Sequence, residues 1–596
     1  MKPIETIAVV GAGNMGSGIA QKYAMEGFPV FLLDVDQAAI DRGAATIERM
    51  LGEAVDRKIL PAEQALQVFN RITTTLDWAR LSEADLVIEA VFEDLEVKRK
   101  VFAKLAEHTR PECILATNTS SFYVRQVAEV TPHPERVLGL HYFFHPAKNR
   151  LVEVIAGPQT PDEQLQRAWT LQEQIGKTPI ASADAPGFIV NRFFVPFINE
   201  AARLLEQGVA DAATIEQAAI EGFRIGLGPF QLMNVTGIAI GYHAAATLER
   251  ELGAFYAPSG LIHEYMKSGR TFNRDELAAT PDRSKFQEIQ ERLLGVTFHV
   301  ACELVSEGVG SIEDVDIGAR VGLRWARGPF ELMNKVGIAE AARISGAVEA
   351  RYGLETPQLL LEQKAEGTAF PIRLVKMRVD DGIATITFNR PDALNALNPQ
   401  VADQLEARLD AAASDPAVHG IVITGTGKAF VAGADIRFFL ENMKSGQHAR
   451  IAEFAVRGHA LLKKIEQCDK PVVARLNGMA LGGGLELALS CDSIVASAKA
   501  VLAFPETGIG IYPGLGGTQR TSRRIGKALT KWLVYTGQFL DAVTAEKIGL
   551  IDWAGPYAGL DRAVLQAIDQ GKRALERRGP ARSRQAVNRA RSDRIR

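Results

Sequence analysis

Short apolar runs recur early in the chain, separated by stretches long enough for helices. "TIAVVGAG", "FPVFLLD", "ADLVIEAV", "CILATNTS" and "VLGLHYF" are continuous enough to predict buried strands. Strands alternating with helical patterns predict a doubly wound, parallel α/β sheet of the Rossmann type, here assigned to residues 1–185. After "DAPGFIVNRFF" the pattern becomes wholly helical and repeats itself. "GFRIGLGPFQLMNVTGIA" begins at Gly222 and "GLRWARGPFELMNKVGIA" at Gly322. Pro229, Met233, Asn234 and Gly237 recur as Pro329, Met333, Asn334 and Gly337, so two related all-α units are expected, at 186–285 and 286–365. The charged, weakly periodic "LEQKAEGTAFP", Leu361–Pro371, predicts a linker. "VKMRVDDGIATITFN" then alternates around Asp381-Gly382, a hairpin signal. Mixed strand and helix patterns open a last domain, 371–596, whose tail from Lys572 is rich in arginine.

Composition narrows this picture. A chain of 596 residues is too long for one core, so several domains are expected. Hydrophobic content of 47% with 23% charged residues fits a soluble globular protein. A net charge of -3 offers no footprint for nucleic acid or a membrane surface. Cys113, Cys302, Cys468 and Cys491 lack paired spacing, which argues against a disulfide framework or a structural zinc and suits a reducing compartment. No apolar run reaches spanning length, the first strand leaves no room for a signal peptide, and the terminal "RIR" is no peroxisomal address. The cytoplasm is the expected location.

Candidate chemistry begins at "VVGAGNMGSGIA". Gly11 permits a tight turn, Gly13 lets the backbone approach a pyrophosphate, and Gly16 allows close helix packing; Asn14 and Met15 share that cofactor loop. Asp34 follows Gly16 by 18 residues (34 − 16), where a carboxylate accepts ribose hydroxyls and repels a 2′-phosphate. NAD is therefore expected over NADP.

At this point the chain, over roughly residues 4–350, resembles the 3-hydroxyacyl-CoA dehydrogenases through "GAGNMGSGIA", "ATNTSS", "GLH", "LVEVI" and "DAPGFIVNR". The resemblance implies that His141 takes the substrate's hydroxyl proton while a hydride passes to NAD. It implies that Glu153, twelve residues on (153 − 141), orients that histidine. Ser120 and Asn191 match substrate-contacting positions, and Glu93 and Lys98 match positions lining the nicotinamide and substrate sides. Alcohol oxidation needs a base near its operating pH, which histidine provides, and a buried carboxylate fixes its tautomer.

One segment departs from the family. The usual His-Phe-Phe-Asn-Pro reads His-Tyr-Phe-Phe-His-Pro here, with Phe144 at the asparagine position and His145 after it. Either a one-residue bulge gives His145 the asparagine's place in the substrate pocket, or the pocket exchanges a polar contact for an aromatic wall. A metal held by His141 and His145 is not expected, since four strand residues span about 13 Å.

From about Pro371 the chain resembles the enoyl-CoA hydratase/isomerase (crotonase) family through "NRPDALNAL", "KAFVAGADI", "KPVVARLNGMALGGGLELALSCD" and "FPETGIGIYPGLGGTQR". That implies a crotonase-type α/β spiral domain. It also implies a thioester oxyanion held by the N–H groups of Ala434 and Gly483, and water worked on by Glu486 and Glu506. Arg437 matches a basic residue near the CoA adenine, and "GPARSRQAVNRA" looks like the family's final helix. Isomerases of this family typically keep one of the two glutamates, so hydration is preferred.

The combined expectation is a bifunctional enzyme that hydrates trans-2-enoyl-CoA and oxidises the 3-hydroxyacyl-CoA formed. Its partners would be acyl-CoA thioesters, a separate thiolase and further copies of itself. The alternatives are a dehydrogenase half that is specialised for an unusual acyl group or only binds, and a crotonase half that isomerises or hydrolyses.

Overall fold

The computed structural model describes residues 3–572, so "GPARSRQAVNRA" lies outside the described residues. The chain divides between Ile372 and Arg373 into two compact units.

The first unit opens with an eight-stranded sheet. Its strands are β1 (Ile7–Val10), β2 (Val30–Leu33), β3 (Ile72–Thr75), β4 (Leu86–Glu89), β5 (Ile114–Thr117), β6 (Val137–Tyr142), β7 (Leu151–Ala156) and β8 (Thr178–Ser182). Their spatial order is β3-β2-β1-β4-β5-β6-β7-β8. The five apolar runs read from the sequence are β1, β2, β4, β5 and β6, and every residue in them is buried. The Thr-rich β3 escaped the pattern because it is only half-buried.

The sheet is not wholly parallel, as the doubly wound expectation had it. β7 runs antiparallel to β6. Only residues 143–150 join them, too short a connection for a parallel crossover. This reversal sets His141 directly across from Glu153 in the ladder. Helices α1 (Asn14–Met25), α2 (Gln37–Asp56) and α3 (Leu95–His108) follow β1, β2 and β4.

The helical part is duplicated in detail. The first copy comprises α4 (Val190–Glu206), α5 (Ala212–Phe223), α6 (Pro229–Thr236), α7 (Ile238–Leu252) and α8 (Gly260–Ser268). The second comprises α9 (Phe286–Ser306), α10 (Ile312–Ile317), α11 (Pro329–Val336), α12 (Ile338–Tyr352) and α13 (Gln358–Glu366). Glu216 accepts the N–H groups of Phe230 and Gln231 at the start of α6. Asp316, 100 residues later, accepts those of Phe330 and Glu331 at the start of α11. Asn234 exchanges two hydrogen bonds with the Phe272 backbone, and Asn334 does the same with Phe370.

This corrects the expected linker at Leu361–Pro371. Most of it is α13, the counterpart of α8, and Leu360 and Phe370 are buried in the helical core. Its charged residues masked a short helix whose buried face is only a few residues wide.

The second unit contains two sheets. The larger has the order β18-β15-β13-β11-β10-β9 and the smaller β12-β14-β16-β17. Here β9 is Val375–Asp380, β10 Ile383–Phe388, β11 Gly420–Gly425, β12 Ala429–Ala432, β13 Val472–Leu476, β14 Met479–Leu481, β15 Ser493–Ser497, β16 Val501–Ala503, β17 Leu540–Asp541 and β18 Trp553–Gly555. The predicted hairpin joins β9 to β10, with Asp381 and Gly382 both at positive φ. Each strand from the larger sheet is then followed by one from the smaller (β11 then β12, β13 then β14, β15 then β16), so the chain advances as a spiral. Helices α14 (Ile436–Lys444) and α15 (Gly483–Ser490) follow β12 and β14.

Candidate active sites

The glycine loop shows three separate physical requirements. Gly11 has φ +107°, and a Cβ there would lie 2.5 Å from the Ala90 carbonyl oxygen. A Cβ on Gly16 would lie 1.8 Å from the Gly11 oxygen, so only glycine lets α1 pack this close. A Cβ on Gly13 would meet nothing within 4 Å. Gly13 is also the N-cap of α1 and supplies no side-chain cap, so the leading N–H groups, from Asn14 and Met15 onward, are left without one. That is a cradle for a diphosphate. Asp34, just past β2, accepts the Ala12 N–H at 2.6 Å and the Val35 N–H at 2.7 Å, which fixes its carboxylate beside the loop. These residues fit NAD.

At the same C-terminal edge of the parallel strands, three strands along at β6, His141 Nδ1 faces Glu153 Oε2 at 2.5 Å, and both side chains are buried. The other Glu153 oxygen accepts the N–H groups of Ile189 and Val190, at 3.0 and 2.9 Å, where α4 begins. The carboxylate is thereby locked in position, and imidazole Nε2 is left for chemistry. The rings of Phe143 and Phe188 pack on the imidazole, at centroid distances of 4.6 and 5.7 Å. Ser120 and Asn191 line one cleft with Ser121, Gly187 and three residues of α7: Ala244, Thr247 and Leu248.

Glu93 lies beneath this cleft. One of its oxygens accepts from the Thr119 hydroxyl and from the Ser120 and Ser121 N–H groups. Burial alone would raise its pKa, but Lys98 and these donors outweigh burial and hold it below the usual carboxylate range. Lys98 on α3 is fully buried between Glu89 at 2.8 Å and Glu93 at 3.0 Å. Burial would lower its pKa, and the two carboxylates raise it instead. Lys98, expected along the cofactor site, thus supports Glu93 from behind. Glu89 is a partner that sequence reading missed. It ends β4 as the one charge in a buried strand, and that was its only signal.

His145 was expected in the substrate pocket. Its Nε2 lies against Met50 Sδ of α2, and its Nδ1 accepts the Ala147 N–H at 3.3 Å. Burial, then Lys148, pushes its pKa down. Phe144 is 57% exposed. The first alternative is corrected: His145 is engaged with Met50 and Ala147 and does not take the asparagine's place as a pocket hydrogen-bonding group. Lys177 holds the segment by the carbonyls of Pro146 and Asn149.

In the second unit, Gly482 (φ +48°) caps α15 and Gly483 is its first residue. A Cβ at Gly483 would lie 3.9 Å from the Ala434 nitrogen, so the two expected donors are neighbours. The Gly483 N–H has no intrahelical partner and carries the positive end of the helix dipole. Glu486, one turn into α15, is buried; one of its oxygens accepts the Leu515 and Gly517 N–H groups, both at 2.7 Å. Burial raises its pKa, partly offset by those donors and by Arg520.

Glu506 reaches the same helix start, its Oε1 2.6 Å from where a Gly482 Cβ would be. Its Oε2 is buried without a partner among the described residues. Burial, with a further push from Glu486, raises its pKa to about 7. Two carboxylates in unequal environments can divide acid and base roles between them. Arg437 lies exposed on the first turn of α14, where its N–H donates to the capping Asp435. Arg520, not singled out from the sequence, bonds the Leu515 carbonyl and Glu466, which fixes the loop that holds Glu486.

Comparison with known proteins follows the same division. The family described as 3-hydroxyacyl-CoA dehydrogenase, NAD binding domain, matches residues 6–185. The 3-hydroxyacyl-CoA dehydrogenase C-terminal domain matches twice, at 187–276 and 289–371. Enoyl-CoA hydratase/isomerase matches 378–590. A 3-hydroxyadipyl-CoA dehydrogenase of Escherichia coli K12 is 34% identical over 319 residues, 52% of this chain and 66% of that one. A fatty acid oxidation complex subunit alpha of Shewanella amazonensis is 31% identical over 400 residues, 62% of this chain and 56% of that one. The chain therefore spans two thirds or less of each of these curated relatives. The crystal structure of an Escherichia coli K12 3-hydroxybutyryl-CoA dehydrogenase matches with a TM-score of 0.57 at 25% identity, covering 62% of this chain and 100% of that one. No helix among the described residues is long and apolar enough to cross a membrane.

Proposed function

Because the chain belongs to the 3-hydroxyacyl-CoA dehydrogenase family over its first unit and to the enoyl-CoA hydratase/isomerase family over its second, we propose that it hydrates trans-2-enoyl-CoA and oxidises the resulting 3-hydroxyacyl-CoA with NAD. The observation that carries this reading is the presence, in one chain, of a buried His–Glu pair with a glycine-loop cradle and of two carboxylates, Glu486 and Glu506, near the neighbouring Ala434 and Gly483 nitrogens.

In the hydration step, the N–H groups of Ala434 and Gly483 hold the thioester oxygen as negative charge develops on it. Glu486 takes a proton from water, whose oxygen bonds to C3. Glu506, whose raised pKa keeps it protonated up to near neutrality, delivers a proton to C2. Retention of both carboxylates favours hydration over isomerisation. In the oxidation step, Ser120 and Asn191 orient the 3-hydroxyl, and His141 Nε2 takes its proton. Glu153 stabilises the imidazolium so formed. Bound NAD supplies the hydride acceptor.

Domain boundaries at 1–185 and 186–285 belong to the same proposal, with the second helical domain (286–365) extended to take in Phe370 and the last domain (371–596) starting where the chain divides, after Ile372. So do a thiolase that cleaves the 3-oxoacyl-CoA product, self-association of the chain, and a cytoplasmic setting. The four cysteines, all free and buried, support a reducing compartment.

The test is one cuvette holding protein, a short trans-2-enoyl-CoA and NAD. Loss of enoyl absorbance together with NADH formation is expected. Enoyl loss without NADH, even when 3-hydroxyacyl-CoA is added directly, would remove the dehydrogenase half of the proposal.

A further inference from the structure

The internal duplication supplies a control for the surface of the first helical copy. Ile240 and Val235 are 66% and 60% exposed, and Leu227 is 42% exposed. Their counterparts 100 residues later are Glu340, Lys335 and Arg327. The copy that borders the Ser120–Asn191 cleft is thus apolar where its duplicate is charged. Single exposed hydrophobics need no explanation, but three apolar positions that are all charged in the duplicate do.

Its position gives the explanation. On α7, Ile240, Ala244, Thr247 and Glu251 fall on one face, at i, i+4, i+7 and i+11. Ala244 and Thr247 line the cleft, and Leu248 flanks them. Ile240 continues that lining by one further turn, about 5.4 Å, the length of roughly four methylenes. The opposite end of the stripe is polar, since Glu251 accepts from the Tyr123 hydroxyl at 3.4 Å. Among the described residues, the cleft lining contains no lysine or arginine.

Building on the dehydrogenase reading above, we propose that the apolar face of α7, from Leu248 out to Ile240, carries the acyl chain of the substrate, and that Ile240 selects for linear, uncharged chains of medium length or longer. A chain ending in a carboxylate, as the name of the 3-hydroxyadipyl-CoA relative implies, finds no lysine or arginine in the cleft lining and, at the turn beyond it, meets Ile240 with only His243 beside it.

The test compares kcat/KM for NAD reduction with 3-hydroxydecanoyl-CoA and 3-hydroxybutyryl-CoA in the full chain. Ile240→Glu, which copies the second repeat, should lower the decanoyl/butyryl ratio about tenfold and mainly through KM, the loss of roughly two methylene contacts. Glu340→Ile should leave the ratio where it was. The unaltered protein should prefer 3-hydroxyhexanoyl-CoA to 3-hydroxyadipyl-CoA. The proposal is overturned if Ile240→Glu leaves the ratio unmoved, if both variants shift it alike, or if the adipyl substrate is preferred. It is equally overturned if Ile240→Glu changes only the mass in solution, which would make this face a contact between copies. If the unaltered protein binds NAD but oxidises none of these substrates, the dehydrogenase reading itself fails.

Discussion

At the scale of single residues, environment assigns the roles. His141 has one nitrogen spent on Glu153, and Glu153 in turn is held by two backbone N–H groups. His141→Ala should lower NADH formation by about 10²–10⁴ while sparing hydration, since general base catalysis contributes on that order. Parallel assays of the two steps check it, and an equal loss in both would contradict it.

Glu506 makes a pH prediction of definite sign. Its folded pKa of about 7 lies above the carboxylate value. The protonated form is the proton donor, so kcat/KM for hydration should fall as pH rises through about 7. The same shift bears on stability: a raised folded pKa favours folding below the unfolded value, and that gain is lost as pH rises through about 7. Glu506→Gln should therefore raise Tm relative to the parent more at pH 8 than at pH 5, while removing most hydration. A Tm difference independent of pH would argue against a raised pKa.

At the scale of elements, the two glycines flanking the start of α1 behave oppositely. Gly16→Ala places a methyl 1.8 Å from a carbonyl oxygen and forces the helix off the sheet. Gly13→Ala adds its methyl to open space. The first should cost stability outright, about 1–3 kcal/mol as for overpacking in general. The second should fold normally yet bind NAD more weakly, because the methyl fills the space for the diphosphate. Thermal melts with and without NAD separate the two outcomes. The β6–β7 reversal belongs to this scale as well: it turns a twelve-residue spacing into a face-to-face pair.

At the scale of the whole molecule, the chain is two units with the cofactor cradle in one of them. NAD at about 100 times its Kd should stabilise the unit that binds it by about 2.7 kcal/mol. In scanning calorimetry, NAD should shift the transition of residues up to 372 and leave that of the second unit in place. A single transition shifting as one would show that the units unfold together. The duplicated helices also belong here, because their second copy repeats the caps and the Asn–Phe exchange but exposes charge where the first exposes apolar surface.

The sequence by itself determined what depends on neighbours along the chain. Continuous apolar runs marked five of the eight strands of the first sheet, Asp381-Gly382 marked a hairpin, and the 100-residue offset marked the duplication. The glycine loop, the His141–Glu153 spacing and the two glutamates of the second unit were legible as motifs, since spacing survives in one dimension. Only the tertiary structure decided what depends on neighbours through space. It put Lys98 between two carboxylates, spent His145 on Met50 and Ala147, folded the expected linker into the helical core, and left one Glu506 oxygen buried without a partner among the described residues. Charge, protonation and access are set by burial and by groups distant in sequence. Periodicity along the chain records which face is buried, not what that face meets.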